Sequence, residues 1–240
     1  MSQNKPYYRI ARIANGTDYI RDKRYAPDRF MLLQAYQLIE NDLKEILEFV
    51  EPADSNECTY SHRIYELFLR CATEFETNCK RILYANGYSS GRWDIRDYCK
   101  VNQAMKLSEY EIKINSWYRN AKIVKPLQDW ASGSMVSWYQ DYNSVKHDCS
   151  QNFHKASLRN LIDAAASVIA ILFAQFQEFS FNPYNDDEML AQSDDDGFWY
   201  GSNSLFNIKP FTNWLPQDVY SFTWQEIKTD TEPFQKYPFH

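Results

Sequence analysis

The chain has 240 residues, of which 44% are apolar and 24% charged, a composition typical of a globular protein and not of a disordered one. Its net charge of -6 argues against a protein that binds nucleic acid without regard to sequence, since such binding needs many cationic contacts to phosphates. A local basic groove remains compatible with this charge. The five cysteines contain no C-x-x-C pair, so we expect neither a disulfide framework nor a zinc site.

Residues 1–25 are polar and basic and show no hydrophobic periodicity. They predict a basic N-terminal arm, either extended or folded as a short strand with a loop. Such an arm can contact nucleic acid, but a basic segment is more often simply solvated. The first residues also lack the apolar core of a signal peptide, so we expect a cytoplasmic protein.

Residues 26–180 predict a bundle of long helices. Apolar residues recur at three- and four-residue steps over about 27–50, 61–84, 126–146 and 152–179, with a shorter helix over 97–110. Asp148, with Gln151 three residues on, or Asn152 is the expected cap of the last long helix. Within 161–174 only Asp163 is charged, which predicts a central helix packed on several sides. A membrane span is the weaker alternative, because the charge-free stretch 164–177 is too short to cross a bilayer.

Residues 181–240 are rich in turns and aromatic side chains. Short strands are predicted over 198–200, 205–208 and 219–224, as a β-rich appendage packed on the bundle. The acidic runs 186–188 and 194–196 can in principle bind a cation, but acids in turns are more often solvated. No H-E-x-x-H, P-loop or G-x-S-x-G motif occurs, and we expect no metal or cofactor.

The segment 142–147 groups the residues best suited to chemistry. Asn143 and His147 lie one helical turn apart, with Lys146 beside them. A histidine moves protons near neutral pH, a lysine stabilises developing negative charge, and an amide orients its neighbours. This is a sufficient set for RNA cleavage without a metal ion. The alternative is a histidine that only satisfies carbonyl groups at a helix end.

The sequence Tyr142-Asn-Ser-Val-Lys-His147, ahead of a long apolar helix, resembles the R-N-x-x-x-H motif of HEPN domains. The segment 60–80, with Glu74 and Glu76, also resembles HEPN helices that carry an acidic residue facing the site. The resemblance covers about residues 28–180. It implies a four-helix bundle, often dimeric, and an RNA-cleaving or RNA-binding protein of a bacterial toxin–antitoxin or phage-defence system. It further implies a homodimer and a partner protein from the same system.

Asn143 and His147 match the motif, whereas Tyr142 stands where catalytic HEPN domains have an arginine that contacts the scissile phosphate. Lys146 can replace the charge of that arginine but not its bidentate geometry. The candidate substrate-binding residues are therefore Tyr142, Lys155, Arg159 and His154. Loss of the arginine also fits a catalytically inactive HEPN-like bundle that acts as a protein-binding or assembly module or as a nucleotide sensor. The signature expected of that alternative is a buried, hydrogen-bonded His147 with no basic groove around it.

Overall fold

The computed structural model describes residues 5–12, 16–182 and 191–240. The helices are α1 (Arg29–Leu47), α2 (His62–Ala85), α3 (Ile95–Tyr98), α4 (Val101–Met105), α5 (Ser137–His147), α6 (Cys149–Asn152), α7 (Leu158–Phe176) and α8 (Trp224–Ile227). The strands are β1 (Glu111–Ile114), β2 (Lys122–Val124), β3 (Gln192–Ser193), β4 (Trp199–Tyr200) and β5 (Phe206–Lys209). The expectation of a mainly α-helical protein with a smaller β part is confirmed.

The four long helices form the hydrophobic core. The central helix is α7, which packs most extensively on α2 and also contacts α1 and α5; α2 in turn packs on α1 and α5. Every residue of α7 is buried except Arg159 and Asp163, which lie one turn apart on its first turns. The near all-round apolarity of the sequence is thus explained by burial on several sides. By length and composition the stretch Leu158–Phe181 is able to cross a membrane, yet 89% of its most apolar window is buried inside the protein.

Side chains define where α2 and α7 begin. Ser61 accepts a hydrogen bond from the backbone N of Ile64 at 3.2 Å, and Ser157 accepts one from the backbone N of Asn160 at 3.4 Å. Both satisfy N–H groups that have no partner within the helix. Asp148 does act as a cap, but of the one-turn helix α6, where it accepts from the backbone N of Gln151 at 3.3 Å. The predicted cap of the long helix was therefore wrong, because α6 and a 3-10 turn intervene.

Two other helix predictions were too long. The first part of the predicted helix over 126–146 is instead a 3-10 turn, Gln128–Ser132. This turn ends at Gly133, which has φ of +73°. That left-handed conformation favours glycine, so α5 starts only at Ser137. The predicted helix over 97–110 is broken into α3 and α4, and α4 ends where Lys106 adopts φ of +55°.

The sheet joins distant parts of the chain. Its strand order is β2-β1-β5-β4-β3, with antiparallel pairing throughout. Ile112 of β1 is opposite Ile208 of β5, and both side chains are fully buried. The C-terminal strands therefore pair with a mid-chain hairpin that the sequence did not predict. The strand predicted over 219–224 is not formed, and Trp224 begins α8 instead.

The described part of the N-terminal segment is not a solvated arm. Arg9 and Arg12 are each only 5% exposed, and Ile10 and Tyr19 are fully buried in the same core as the long helices. Arg12 Nη1 donates to the backbone O of Asp218 at 3.1 Å, which ties this segment to the C-terminal part of the chain. Two of the basic side chains that suggested a solvated arm, Arg9 and Arg12, are thus used for internal contacts, whereas Arg21, Lys23 and Arg24 are exposed.

Candidate functional site

The end of α5 exposes most of the motif residues identified in the sequence. Trp138, Tyr142 and Val145 recur at four- and three-residue steps and are buried against the core. The opposite face leaves Asn143 half-buried and Lys146 and His147 exposed to solvent. A cationic residue near a helix C-terminus also interacts favourably with the helix dipole. The three residues predicted to carry the chemistry are therefore accessible from one side.

Tyr142, which stands in place of the motif arginine, lies inside the protein. Its ring is 2% exposed and packs edge-on against Phe68 of α2, with ring centroids 6.2 Å apart. Its hydroxyl accepts a hydrogen bond from Lys146 Nζ at 3.1 Å, and that bond raises the pKa of Lys146. Tyr142 thus offers no accessible surface to a substrate; instead it orients the lysine. This corrects the expectation that Tyr142 contacts substrate.

The polar groups of Asn143 and His147 are free in the part of the chain that the structure describes. Within the described ranges, neither side chain has a hydrogen-bond or ion-pair partner. His147 is also exposed, so the buried, hydrogen-bonded histidine expected of a purely structural residue is not observed. Both side chains are available to a ligand.

A second basic element packs beside α5. Lys155 Nζ lies 3.5 Å from Asp141 Oδ1 and donates to Ser144 Oγ at 3.2 Å. The other carboxylate oxygen of Asp141 accepts from Asn160 Nδ2 at 2.9 Å. These bonds fix the turn Phe153–Lys155 next to the end of α5, and the preceding residue His154 is exposed.

A third histidine, His62, lies in the same region. It is the exposed first residue of α2, and its ring lies 4.8 Å from that of Phe153. Tyr60 and Tyr65 also pack on Phe153, at 5.5 and 5.8 Å between ring centroids. Three of the four histidines are thus at one end of the helical core. This group, called the histidine end below, comprises His62, Asn143, Lys146, His147, His154 and Lys155.

The acidic side chain of α2 that approaches α5 does not lie beside His147. Glu76 Oε1 accepts from the hydroxyl of Tyr139 at 2.7 Å, and burial together with this bond raises the pKa of Tyr139 strongly. Tyr139 precedes His147 by eight residues, or about two helical turns. Glu76 is therefore a core hydrogen-bond acceptor and not a member of the histidine end.

Arg159 lies outside the histidine end. Its Nε donates to Glu57 Oε2 at 2.8 Å, and Lys122 bonds to the other oxygen of the same carboxylate. Burial opposes ionisation of Glu57, but the hydrogen bonds from these two cations lower its pKa below the usual value. The guanidinium of Arg159 is consequently committed to an internal ion pair. Sequence reasoning had no signal for this pairing, because Glu57 lies in a loop 102 residues earlier.

Asp163 lines an open cleft of about 580 Å³ together with Trp117, Lys122 and Arg159. Burial raises the pKa of Asp163 to about 7. Within the described residues, no group donates a hydrogen bond to its carboxylate. A carboxyl group with a pKa raised to this value gains and loses its proton near neutral pH, as catalytic carboxyl groups do. The sequence singled it out only as the one charge within 161–174.

Across the described ranges, no group of three or more His, Cys, Asp and Glu residues is arranged to hold a metal ion. Asp194 of the second acidic run pairs with Lys113 at 2.6 Å and accepts from the backbone N of Phe198 at 2.8 Å. It therefore stabilises a turn. The first acidic run, 186–188, lies outside the described residues.

Comparison with known proteins gives no family model, no curated protein and no solved structure that matches this chain significantly. Arguments about function therefore rest on the chemistry of the side chains themselves.

Proposed function

We propose that this protein is a HEPN-like RNA-binding protein that cleaves RNA without a metal ion, and that the histidine end is its site. The observation that carries the proposal is the grouping of exposed histidines with Lys146 and the half-buried Lys155 at one end of the core. The side chains of Asn143 and His147 in this group have no hydrogen-bond or ion-pair partner among the described residues. The basic residues lie beside the aromatic cluster of Tyr60, Tyr65 and Phe153. This combination suits single-stranded RNA, because cationic side chains bind its phosphates and aromatic rings stack on its bases.

The order of the four long helices supports the HEPN-like assignment. The motif residues end the third long helix, α5, and the apolar fourth helix, α7, follows after one short helix and one turn. Both helices pack on α2, so the exposed end of α5 is held against a rigid core. A site on such elements keeps its geometry better than one on loops alone.

In the proposed reaction His147 removes the proton from a ribose 2′-hydroxyl. The 2′-oxygen attacks the adjacent phosphorus, the bond from phosphorus to the 5′-oxygen breaks, and a second histidine protonates the leaving oxygen. The products are a 2′,3′-cyclic phosphate and a free 5′-hydroxyl. His154 supplies that second histidine, and Asn143 orients the imidazole or the phosphate.

Lysines supply the positive charge that the motif arginine provides in catalytic HEPN domains. Lys146 is bonded to the neutral hydroxyl of Tyr142, so it can approach a phosphate without breaking an ion pair. Lys155, by contrast, is already paired with the carboxylate of Asp141, which partly neutralises its charge. A symmetric homodimer that joins two histidine ends doubles the local positive charge, which is how a chain of net charge -6 can attract RNA. We propose a homodimer, in the cytoplasm, controlled by a partner protein of the same system.

A second candidate function is RNA or protein binding without cleavage. Two observations favour it: Tyr142 is buried where catalytic domains present an arginine, and Arg159 is committed to Glu57. Lysine lacks the planar fork that grips a phosphate with two parallel bonds. The two candidates differ in one measurable respect: only the first predicts that the protein breaks RNA strands, and that this breakage needs His147.

The test is cleavage of fluorescent single-stranded RNA by the purified protein in the presence of EDTA. We expect fragments that end in a 2′,3′-cyclic phosphate, and a loss of about 10²- to 10⁴-fold in rate for His147→Ala. His240→Ala is the matched control and is expected to cleave like the wild type. It is also an exposed histidine, but Tyr237, nearby in the chain, is bonded to Asn86 at the far end of α2.

Equal cleavage by the wild type and His147→Ala would overturn the proposed mechanism. RNA binding without cleavage, weakened by Lys155→Ala, would establish the second candidate. Absence of both cleavage and RNA binding would refute every RNA-directed role and leave protein binding as the function. Induction of the same variants in a bacterial host, with growth and total-RNA integrity as readouts, extends the comparison to conditions where a partner protein is present.

A further inference from the structure

A second cleft lies at the opposite end of α2 from the histidine end. It has a volume of about 570 Å³, within the range of about 300–1,000 Å³ typical of small-molecule sites. The 24 residues of α2 separate the two ends by about 35 Å, at 1.5 Å per residue. The residues that matter here, called the arginine cleft, are Tyr8, Arg9, Asp28, Arg81, Tyr84 and Trp93.

The arginine cleft carries an excess positive charge. Arg9 and Arg81 bond to the two oxygens of a single carboxylate, that of Asp28. One carboxylate cannot neutralise two guanidinium groups, so a positive charge is left over in a chain whose net charge is -6. Two further cations line the cleft, and each has its own acidic partner: Arg24 pairs with Asp22, and Lys80 lies 3.6 Å from Glu76. The excess positive charge therefore comes from Arg9 and Arg81.

Burial makes this excess charge unfavourable in the absence of a ligand. Arg9 is 5% exposed, and burial lowers its pKa to about 10. Burial, followed by the positive charge of Arg9, also lowers the pKa of Arg81. Among the described residues, the other terminal nitrogen of Arg9 contacts only a neutral acceptor, Gln175 Oε1, at the long distance of 3.4 Å. An anion in the cleft would relieve this repulsion, and two guanidinium groups match the geometry of phosphate oxygens.

Contacts of the neighbouring residue hold the backbone of Arg9 in an unfavourable conformation. Arg9 has φ of +59°, a left-handed conformation that is unfavourable for residues other than glycine. Its neighbour Tyr8 is fixed on both sides, by a bond from Tyr8 N to the backbone O of Gln235 at 3.2 Å and by one from Asn86 Nδ2 to Tyr8 O at 2.9 Å. Strained residues that are held so firmly cluster at binding sites.

Aromatic rings form the rest of the cleft. Tyr84 is 75% exposed, which is unusual for so large an apolar ring. Trp93 and Tyr8 are half-buried and are supported from behind by Tyr88 and Phe234, at 6.0 and 5.3 Å between ring centroids. Fixed, accessible rings of this kind stack on flat heterocycles. The cleft therefore offers both a cationic and an aromatic surface to the same ligand.

We propose that the arginine cleft binds a nucleoside phosphate, with Arg81 and Arg9 on the phosphate and Tyr84 and Trp93 on the base. No residue of the histidine end takes part, so this inference is independent of the proposed RNA cleavage.

The test is isothermal titration of the purified full chain with adenosine monophosphate, adenosine and inorganic phosphate. We expect one saturable site per chain, tightest for adenosine monophosphate. Arg81→Gln is expected to weaken binding by about 10- to 100-fold, the value of a hydrogen-bonded charge. Tyr84→Ala is expected to weaken it by about 5- to 150-fold through lost stacking. Tyr84 is exposed, so its truncation leaves the core intact and keeps the test valid if Arg81→Gln unfolds.

Arg70→Gln is the matched control. Arg70 is also an arginine of α2 paired with one carboxylate, that of Asp42, but it lies outside the cleft. We expect it to bind like the wild type. Absence of binding by all three probes at millimolar concentration would overturn the proposal, as would equal affinity for phosphate and adenosine monophosphate. Binding that survives in Tyr84→Ala and Arg81→Gln but is lost in His147→Ala would locate the nucleotide at the histidine end and likewise refute it.

Discussion

Replacing Asp163 by asparagine tests the electrostatics of the cleft beside α7. Burial raises the pKa of Asp163 from 3.8 to about 7, so the folded protein binds this proton more tightly than the unfolded chain does. The stabilisation that comes from the protonated carboxyl group is complete below pH 3.8. It is lost progressively as the pH rises through the folded-state pKa of about 7. An asparagine side chain has nearly the same shape but no charge, so the variant lacks this dependence.

The expected magnitude follows from the two pKa values. A shift of about 3 units corresponds to about 4 kcal/mol of unfolding free energy over the full pH range, at 1.36 kcal/mol per unit. Between pH 5 and pH 8 the same linkage relation gives a loss of about 2.6 kcal/mol. Because the cleft is open to water, which screens the charge, we expect about 1 to 2.5 kcal/mol.

The assay is urea denaturation of the wild type and Asp163→Asn at pH 5 and pH 8, followed by circular dichroism. The stability of Asp163→Asn relative to the wild type is expected to increase by the stated amount from pH 5 to pH 8. Asp195→Asn is the control, since Asp195 is an exposed loop carboxylate, and its pH dependence is expected to parallel that of the wild type.

Parallel pH curves for the wild type and Asp163→Asn would refute this reasoning. They would mean that the carboxylate is compensated in the folded protein. The nearest group able to do so is Arg159, one turn away, which would have to leave Glu57. The double variant Glu57→Gln/Asp163→Asn distinguishes that exchange of partners from simple hydration of the cleft.

Two further substitutions test the core. Ser61→Ala removes the cap of α2 and is expected to lower the unfolding free energy by about 1 kcal/mol in urea denaturation, whereas Ser61→Gly is expected to lower it by only a few tenths. An unchanged unfolding free energy in Ser61→Ala would show that the capping bond does not stabilise the helix. Gln175→Leu leaves Asn78 Oδ1 without its 2.8 Å donor and takes away the acceptor of Arg9 Nη1, for an expected loss of about 1–3 kcal/mol. The other terminal nitrogen of Arg9 keeps its bond to Asp28. Gln151→Leu, at an exposed position, is its control, and a loss as large as that of Gln175→Leu would contradict the argument.

The long helices could be predicted from sequence because the spacing of their apolar residues is visible within one continuous segment. The expected range 61–84 differs from α2, His62–Ala85, by one residue at each end. The last helix was predicted over 152–179, and α7 occupies Leu158–Phe176. The error at its start arises from competition between two caps, Asp148 and Ser157, each of which begins a helix of different length. Only the packing of the intervening turn decides between them.

The sheet could not be predicted because its strands are short and pair across long sequence separations. The strand β1 has four residues and alternates between partly buried and buried positions, a pattern too brief to distinguish from a loop. Its stability comes from pairing with β5, nearly a hundred residues later. The turn-rich tail therefore gave correct positions for β4 and β5 but no indication of their partner.

For the candidate site, sequence placed Asn143, Lys146 and His147 together because they share one helix. The spacing of Tyr142 from Trp138 and Val145 also placed this residue on the apolar side of that helix, and only the motif resemblance suggested that this tyrosine contacts substrate. The contribution of His62 and the pairing of Arg159 with Glu57 depend on contacts between segments far apart in the chain. Such contacts have no local pattern, and one chain without aligned relatives gives no other indication of them.

The contacts between the two terminal segments delay completion of the fold during synthesis. Tyr7 pairs with Gln235, and Gln235 Nε2 donates to the backbone O of Lys5 at 2.6 Å, across 230 residues. At a translation rate of about 5–20 residues per second, the N-terminal segment waits roughly 10 to 50 s for these partners. During that interval Ile10 and Tyr19, both fully buried in the final structure, lack part of their covering. The nascent chain thus exposes this apolar surface until the segment around Gln235 emerges from the ribosome.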